Sequence, residues 1–287
     1  MHNSDNVQTI QQTLSALPDW ASERILQHIN NLTNYEPVIG IMGKTGAGKS
    51  SLCNALFAGE ISTVSDVVAC TREALRFRLQ VGERLMTIVD LPGVGESNAR
   101  DAEYASLYRQ ELPHLDLVLW LIKADDRALA VDEHFYLQVI GEAYRHKVLF
   151  VISQSDKVEP TSGNGQLSME QKQNISSKIC LLHELFQPVH PVCAISVQAK
   201  WGLRMMAERM IRCLPREASS PVVAQLQSPF RTTTVQEKAR NDFGETVGAA
   251  LDAVSALPLI PAPVRAVIRA VRDTVVSVAR TVWNFFF

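Results

Sequence analysis

The densest chemistry in the chain lies in Gly43 to Ser50, G-K-T-G-A-G-K-S, which matches the phosphate-loop pattern G-x-x-x-x-G-K-[ST] at every specified position. Gly43, Gly46 and Gly48 allow backbone N–H groups to converge on a polyphosphate with no Cβ in the way, so the cradle is expected to comprise Gly43, Lys44, Thr45, Gly46, Ala47, Gly48, Lys49, Ser50 and Ser51. Lys49 is placed to reach the β- and γ-phosphates, and Ser50 to ligate Mg²⁺. Further on, Asp90-Leu91-Pro92-Gly93 reads D-x-x-G. The Asp90 carboxylate can hold Mg²⁺ through water and the Gly93 N–H can face the γ-phosphate. Between the two motifs, Glu60 to Arg72 is polar and irregular and reads as a loop. Its Thr71 has a hydroxyl and a carbonyl that can meet Mg²⁺ and the γ-phosphate, a device for sensing the triphosphate. The expected metal set is Ser50, Thr71 and Asp90, and the expected catalytic set is Lys49, Thr71 and Gly93.

These residues need a strand–loop–helix frame, and the flanking pattern supplies one. Val38 to Met42 is an apolar run of buried-strand length, and Ser51 to Ala58 puts Leu52, Ala55 and Leu56 at helical spacing. Leu75, Phe77, Leu79 and Val81 alternate with polar residues, as on a sheet-edge strand, and Gly82-Glu83 turns the chain into Leu85 to Val89 to make a hairpin. Leu115 to Ile122 and Val148 to Ile152 have the composition of fully buried parallel strands. Helical patterns separate them, at Ala102 to Leu112 and from Asp132, read as an N-cap, to Arg145. Ser168 with Gln171 reads as a capping box opening the next helix; Val189 to Ser196 is the last strand and Leu203 to Leu214 the last helix. The fold class is therefore α/β: a doubly wound, mostly parallel sheet binding its ligand at the carboxyl ends of the strands.

Residues 1–36 form an N-terminal helical segment broken at Pro18-Asp19, 37–215 the nucleotide domain, 216–234 a Ser/Pro/Thr-rich linker, and 235–287 a C-terminal helical region. In the last segment Val264, Val267, Ile268, Val271, Val275, Val278, Val282, Phe285 and Phe286 form one stripe, with Arg265, Arg269, Arg272 and Arg280 on the opposite side. Two covers for that stripe stay open: the protein itself, in a helical hairpin with residues 246–264, or an anionic membrane surface, with Trp283 and the Phe-rich end at the interface.

A chain of 287 residues, 46% hydrophobic and 20% charged, can bury a core and is not disordered as a whole. Its net charge of −2 gives no global attraction to nucleic acid, and no basic aromatic surface or G-x-x-G clamp follows residue 215. The five cysteines show no C-x-x-C spacing, so structural metal and disulfides are poor readings and a reducing cytoplasm is expected. The N-terminus lacks a basic start followed by an apolar stretch, so no signal peptide is read. Peripheral association with the inner membrane is left to the C-terminal helix.

The order G-K-T-G-A-G-K-S, Thr71-Arg72, D-L-P-G resembles the Era-like branch of the translation-factor-related P-loop GTPases, with their Ras-like domain. Along its whole length the chain is similar to the small prophage-encoded GTPases of enteric bacteria. The resemblance implies binding of GTP and GDP and a role as a molecular switch. Guanine would be read at Ser153-Gln154-Ser155-Asp156, where relatives carry N/T-K-x-D; Asp156 would accept from guanine N1 and N2, and Gln154 stands where a lysine covers the base. Ser196 and Val197 would form the second base-contacting motif. The residue after Gly93 is Val94 where many relatives place a water-orienting glutamine, which implies slow hydrolysis and an activator or dimer partner. Gly46 replaces the asparagine of potassium-activated relatives, so potassium activation is not expected. The loop also resembles that of septin-related GTPases, which implies a homodimer across the nucleotide face or nucleotide-controlled assembly as the alternative to a simple switch.

Overall fold

The computed structural model describes residues 10, 12–63, 74–95, 98–161, 166–258 and 260–287. They divide into a nucleotide-type unit, Pro37–Leu214 with Gln225–Arg231, and a helical unit made of residues up to Glu36, Pro215–Ala224 and Thr232–Phe287.

The first unit is built on a seven-stranded sheet. Its strands are β1 (Val38–Met42), β2 (Glu60–Thr63), β3 (Leu75–Val81), β4 (Arg84–Asp90), β5 (Leu117–Lys123), β6 (Val148–Ser153) and β7 (Cys193–Ala194), in the order β2-β3-β4-β1-β5-β6-β7. β4, β1, β5, β6 and β7 run parallel, whereas β3 is antiparallel to both β2 and β4. β5 and β6 are apolar and buried along almost their whole length, as strands with both faces covered must be. Beneath them Trp120, Phe150 and Phe186 pack with ring centroids 4.7 to 6.2 Å apart, and Tyr136 joins the cluster edge-on.

Helix α2 (Lys49–Leu56) follows β1, and α3 (Asn98–Glu111) follows β4. After β5 the chain enters α4 (Ala130–Phe135), a π-helical turn at Tyr136–Ile140 and α5 (Gly141–Tyr144). After β6 comes α6 (Met169–Phe186), opened by the expected capping box: Ser168 Oγ accepts from Gln171 N, and Gln171 Oε1 accepts from Ser168 N. Helix α7 (Leu203–Cys213) follows β7.

Four boundaries differ from the sequence reading. Glu60–Thr63 is a strand paired with β3, so β2 and not β3 is the sheet edge; its polar composition, loop-like in the sequence, suits an edge. The last strand shrinks from Val189–Ser196 to Cys193–Ala194, because Pro188 and Pro191 lack N–H donors and Ser196 pairs instead with Trp201. The helix after β5 begins at Ala130, making Asp132 a buried first-turn residue and not an N-cap. Residues 216–234, expected as an irregular linker, contain α8 (Arg216–Gln225) and a 3₁₀ turn at Ser228–Phe230. Pro221 sits inside that helix, and its serines are buried because they have acceptors: Ser219 Oγ donates to Arg216 O and Ser220 Oγ to Ala239 O.

In the helical unit, α1 (Asp19–Thr33) packs on α9 (Thr233–Ser255), and α9 forms an antiparallel hairpin with α10 (Ala262–Phe286). The hairpin is therefore as expected, but its seam is rotated from the expected stripe. Val276, Ala279 and Trp283 are buried with Ile268, Val275, Val282 and Phe286, while Phe285 remains 58% exposed. Two arginines assigned to the far side instead face α9: Arg272 Nε bonds Asp252 at 2.9 Å and Arg280 bonds Glu245 at 2.7 Å. Gly244 and Gly248 explain this, since a Cβ there would lie 2.6 Å from Arg280 Nε and 3.0 Å from the Arg272 guanidinium. Trp283 Nε1 donates to Ser220 Oγ at 2.8 Å in the interior of the unit. Among the described residues no helix is long and apolar enough to cross a membrane.

Candidate functional site

The parallel strands deliver their carboxyl ends to one edge of the sheet, where the chemistry collects. Register pairs Ile41 of β1 with Asp90 of β4, so the D-x-x-G carboxylate stands beside the strand that feeds the phosphate loop. The loop glycines take the conformations that the motif requires. Gly43, Gly46 and Gly48 have φ of 147°, 77° and 90°, and a Cβ on Gly43 would meet Leu121 O at 2.5 Å. The chain then enters α2 directly at Lys49, so the free N–H groups of the first helical turn and the positive end of its dipole point at the loop.

Lys49 Nζ donates to Gly43 O at 2.9 Å, closing the loop on itself, and stands 3.6 Å from Asp90 Oδ1. That distance is an ion pair but too long for a hydrogen bond. Asp90 Oδ1 is buried with no hydrogen-bond partner. Burial pushes the Asp90 carboxyl up, and the Lys49 charge only partly counters it. Lys49, Ser50 and Asp90 line a common cavity of about 130 Å³ with Cys53, Asn54 and Phe77; burial pushes the Cys53 thiol up to about 12, which leaves it an inert neighbour. An unsatisfied carboxylate oxygen and a hydroxyl lining one cavity suit a hard cation such as Mg²⁺. Thr71, the third expected ligand, lies outside the described residues.

Gly93 is pressed onto the loop: a Cβ there would stand 2.6 Å from Gly43 O and 2.7 Å from Lys44 Cα. Val94 is 2% exposed and packs in the core, so its side chain does not reach the phosphate edge. Tyr108 Oη donates to Pro92 O at 3.0 Å and holds the D-x-x-G turn from behind.

At the far end of the edge, Gln154 adopts a left-handed backbone (φ 56°) and its Nε2 donates to Gly46 O at 2.5 Å, tying the base-reading loop to the phosphate loop. Asp156 Oδ1 accepts from Ser196 Oγ at 2.5 Å, and Ser196 Oγ accepts from Ala199 N. Ser155 N donates to Ile195 O, and Gln171 Nε2 donates to Asp156 O. Thus Ser196, assigned from the sequence with little local signal, stands against Asp156, and Val197 follows it in a turn in which Lys200 N donates to Val197 O.

Sequence reasoning missed a cluster behind the loop. Lys44 Nζ lies 2.9 Å from Asp126 Oδ2, 2.8 Å from Asp132 Oδ2 and 2.7 Å from Ala128 O. Burial lowers the Lys44 ammonium, but the bonds to Asp132 and Asp126 outweigh it and raise it overall. Burial likewise raises Asp126, and its bonds to Lys44 and Ala128 N outweigh that and hold it low; at the more enclosed Asp132 burial prevails and the carboxyl is raised. The available signal was two aspartates, three and nine residues beyond the end of an apolar strand, which reads equally well as a solvated loop.

The model of the family described as "50S ribosome-binding GTPase" matches residues 38–154. YkfA of Escherichia coli K12 is 78% identical over the full length of both chains. GTPase Der of Mycoplasmopsis pulmonis is 29% identical over 52% of this chain and 36% of its own. A solved structure of Era with MgGDPNP and a 16S ribosomal RNA segment aligns at 22% identity and TM-score 0.46, covering 63% of this chain and 58% of that one.

Proposed function

The chain belongs to the family of YkfA, and we propose that it is an Era-like P-loop GTPase that binds GTP with Mg²⁺, hydrolyses it slowly to GDP and phosphate, and uses the bound nucleotide as a switch. The observation that carries this reading is the common sheet edge: a closed phosphate loop, an Asp90 oxygen that accepts no hydrogen bond beside Lys49 and Ser50, and Asp156 oriented by Ser196. Gly43 to Ser51 offer backbone N–H groups to the phosphates, Lys49 supplies the point charge, and Gly93 N–H faces the γ-phosphate. Ser50 and Asp90, with Thr71, would hold Mg²⁺, which would offset the charge of the phosphates. Asp156 complements the two guanine donors that adenine lacks, while Gln154 spans from the base loop to Gly46 O.

Slow turnover is supported by Val94, buried and apolar where a water-orienting amide would be needed. A second participant then completes the site, either an activator or another copy across the nucleotide face, in which case specific activity rises with protein concentration. The odd number of cysteines without C-x-x-C spacing fits a reducing compartment. Competition against a labelled guanine nucleotide tests the assignment: GTP and GDP should displace it and ATP should not, and equal displacement by ATP would end the guanine reading.

A further inference from the structure

Lys44 turns its ammonium away from the phosphate cradle: it donates to Asp126 Oδ2 and Ala128 O and forms an ion pair with Asp132 Oδ2, all in the segment that follows β5. The segment is itself anchored. Ala128 N donates to Asp126 Oδ1 at 2.9 Å, and Lys178 of α6 donates to the main-chain oxygen of Asp126. Asp132 is 3% exposed, so its position is set by packing and not by solvent. The backbone of Lys44 lies directly under Gly93, with no room between them for a methyl group. Any shift of Lys44 is therefore transmitted to the N–H expected to meet the γ-phosphate.

We infer that Asp126 and Asp132 are positioning residues for triphosphate recognition: by fixing Lys44 they set where Gly93 stands, and so they determine how much more tightly GTP is held than GDP. The clamp also keeps a second ammonium out of the cradle, where Lys49 already serves the phosphates. Diphosphate binding depends on the loop N–H groups and Lys49, so it is less sensitive to a displacement felt at Gly93. This inference rests on the GTP reading above.

The test measures affinity for GDP and for a non-hydrolysable GTP analogue, with Mg²⁺, in the wild type and in Lys44→Met, Lys44→Arg, Asp126→Asn, Asp132→Asn and the Lys44→Met/Asp132→Asn pair, alongside thermal unfolding without nucleotide. Lys44→Met and Asp132→Asn should each lower the triphosphate-over-diphosphate preference by about tenfold, the scale of one charge-assisted hydrogen bond. The double variant should lose no more than the worse single one, because both act through one contact. Lys44→Arg, whose guanidinium can reach the same carboxylates, should keep the wild-type ratio. If Lys44→Met fails to fold, Asp126→Asn, which leaves Asp132 to hold Lys44, should still show a smaller fall in the same direction. Equal loss of both nucleotides together with a lower unfolding temperature, or an unchanged ratio in a folded protein, would overturn the inference while leaving the GTP reading intact. A wild type that binds neither guanine nucleotide would remove both.

Discussion

Replacing Gly93 with alanine adds one methyl group at the tightest contact between the D-x-x-G turn and the phosphate loop. Its Cβ would lie 2.6 Å from Gly43 O, where ordinary contacts begin at 3.4 Å, and the opposing atoms are backbone. The loop or the turn must therefore move by roughly 0.8 Å, because no flexible side chain can yield instead. Overpacking of this kind costs about 1–3 kcal/mol. If most of it appears as lost alignment of the Gly93 N–H with the γ-phosphate, affinity for a GTP analogue falls roughly 5- to 100-fold. Gly82→Ala is the control: that glycine has φ of 59° and open space around its missing Cβ, so the substitution strains a hairpin turn and leaves the site alone. Titration with a fluorescent GTP analogue, paired with thermal unfolding, separates the two effects. Both variants should unfold at lower temperature, and only Gly93→Ala should lose nucleotide. A Gly93→Ala protein that is folded and binds the analogue like wild type would refute the claim that this contact aligns the γ-phosphate donor.

Asp156→Asn should weaken GTP binding and relax rejection of xanthosine nucleotides; Ser196→Ala, which removes the bond to Asp156 Oδ1, should weaken guanine binding about tenfold without changing that preference, as competition assays would read. Asp90→Asn should abolish the Mg²⁺ dependence of GTP binding yet leave the nucleotide-free protein at least as stable at neutral pH. Burial raises the Asp90 carboxyl, so its ionised form costs stability at neutral pH, and that cost disappears as pH falls through the raised value toward and below the ordinary 3.8. The advantage of the variant in thermal unfolding should shrink over the same range, and an advantage that grows on acidification would contradict the assignment. Trp283→Ala, deleting a 3% exposed ring and the bond its Nε1 gives Ser220 Oγ, should destabilise the helical unit by about 3–5 kcal/mol in denaturant titration, with nucleotide affinity in the folded protein unchanged.

The parts of the fold written in one-dimensional patterns were legible in advance. β5 and β6 are apolar runs because both faces are covered, and the capping box at Ser168 and Gln171 is a local rule with a local consequence. The phosphate loop belongs to the same class, since its glycines answer to backbone geometry within eight residues. What the sequence concealed depends on partners distant along the chain. Glu60–Thr63 is a strand because β3 offers it a ladder, and α8 can bury Ser220 because its hydroxyl finds Ala239 O and Trp283 Nε1. Arg272 and Arg280 of α10 read as part of a free polar face until Gly244 and Gly248 open room for them against α9. Lys44 likewise looks like one more cradle residue, and only the fold brings Asp126 and Asp132 to its ammonium.

The most direct test of the account is phosphate release from GTP and from ATP by the purified protein, with Mg²⁺, in sodium and in potassium, over a range of protein concentrations and beside Lys49→Ala. GTP hydrolysis should run far below the roughly 10 s⁻¹ of a typical enzyme, alike in the two salts because Gly46 offers no side-chain ligand, and should be absent in Lys49→Ala. GTP turnover no higher than that of Lys49→Ala at every concentration, or ATP hydrolysed as readily as GTP, would contradict it.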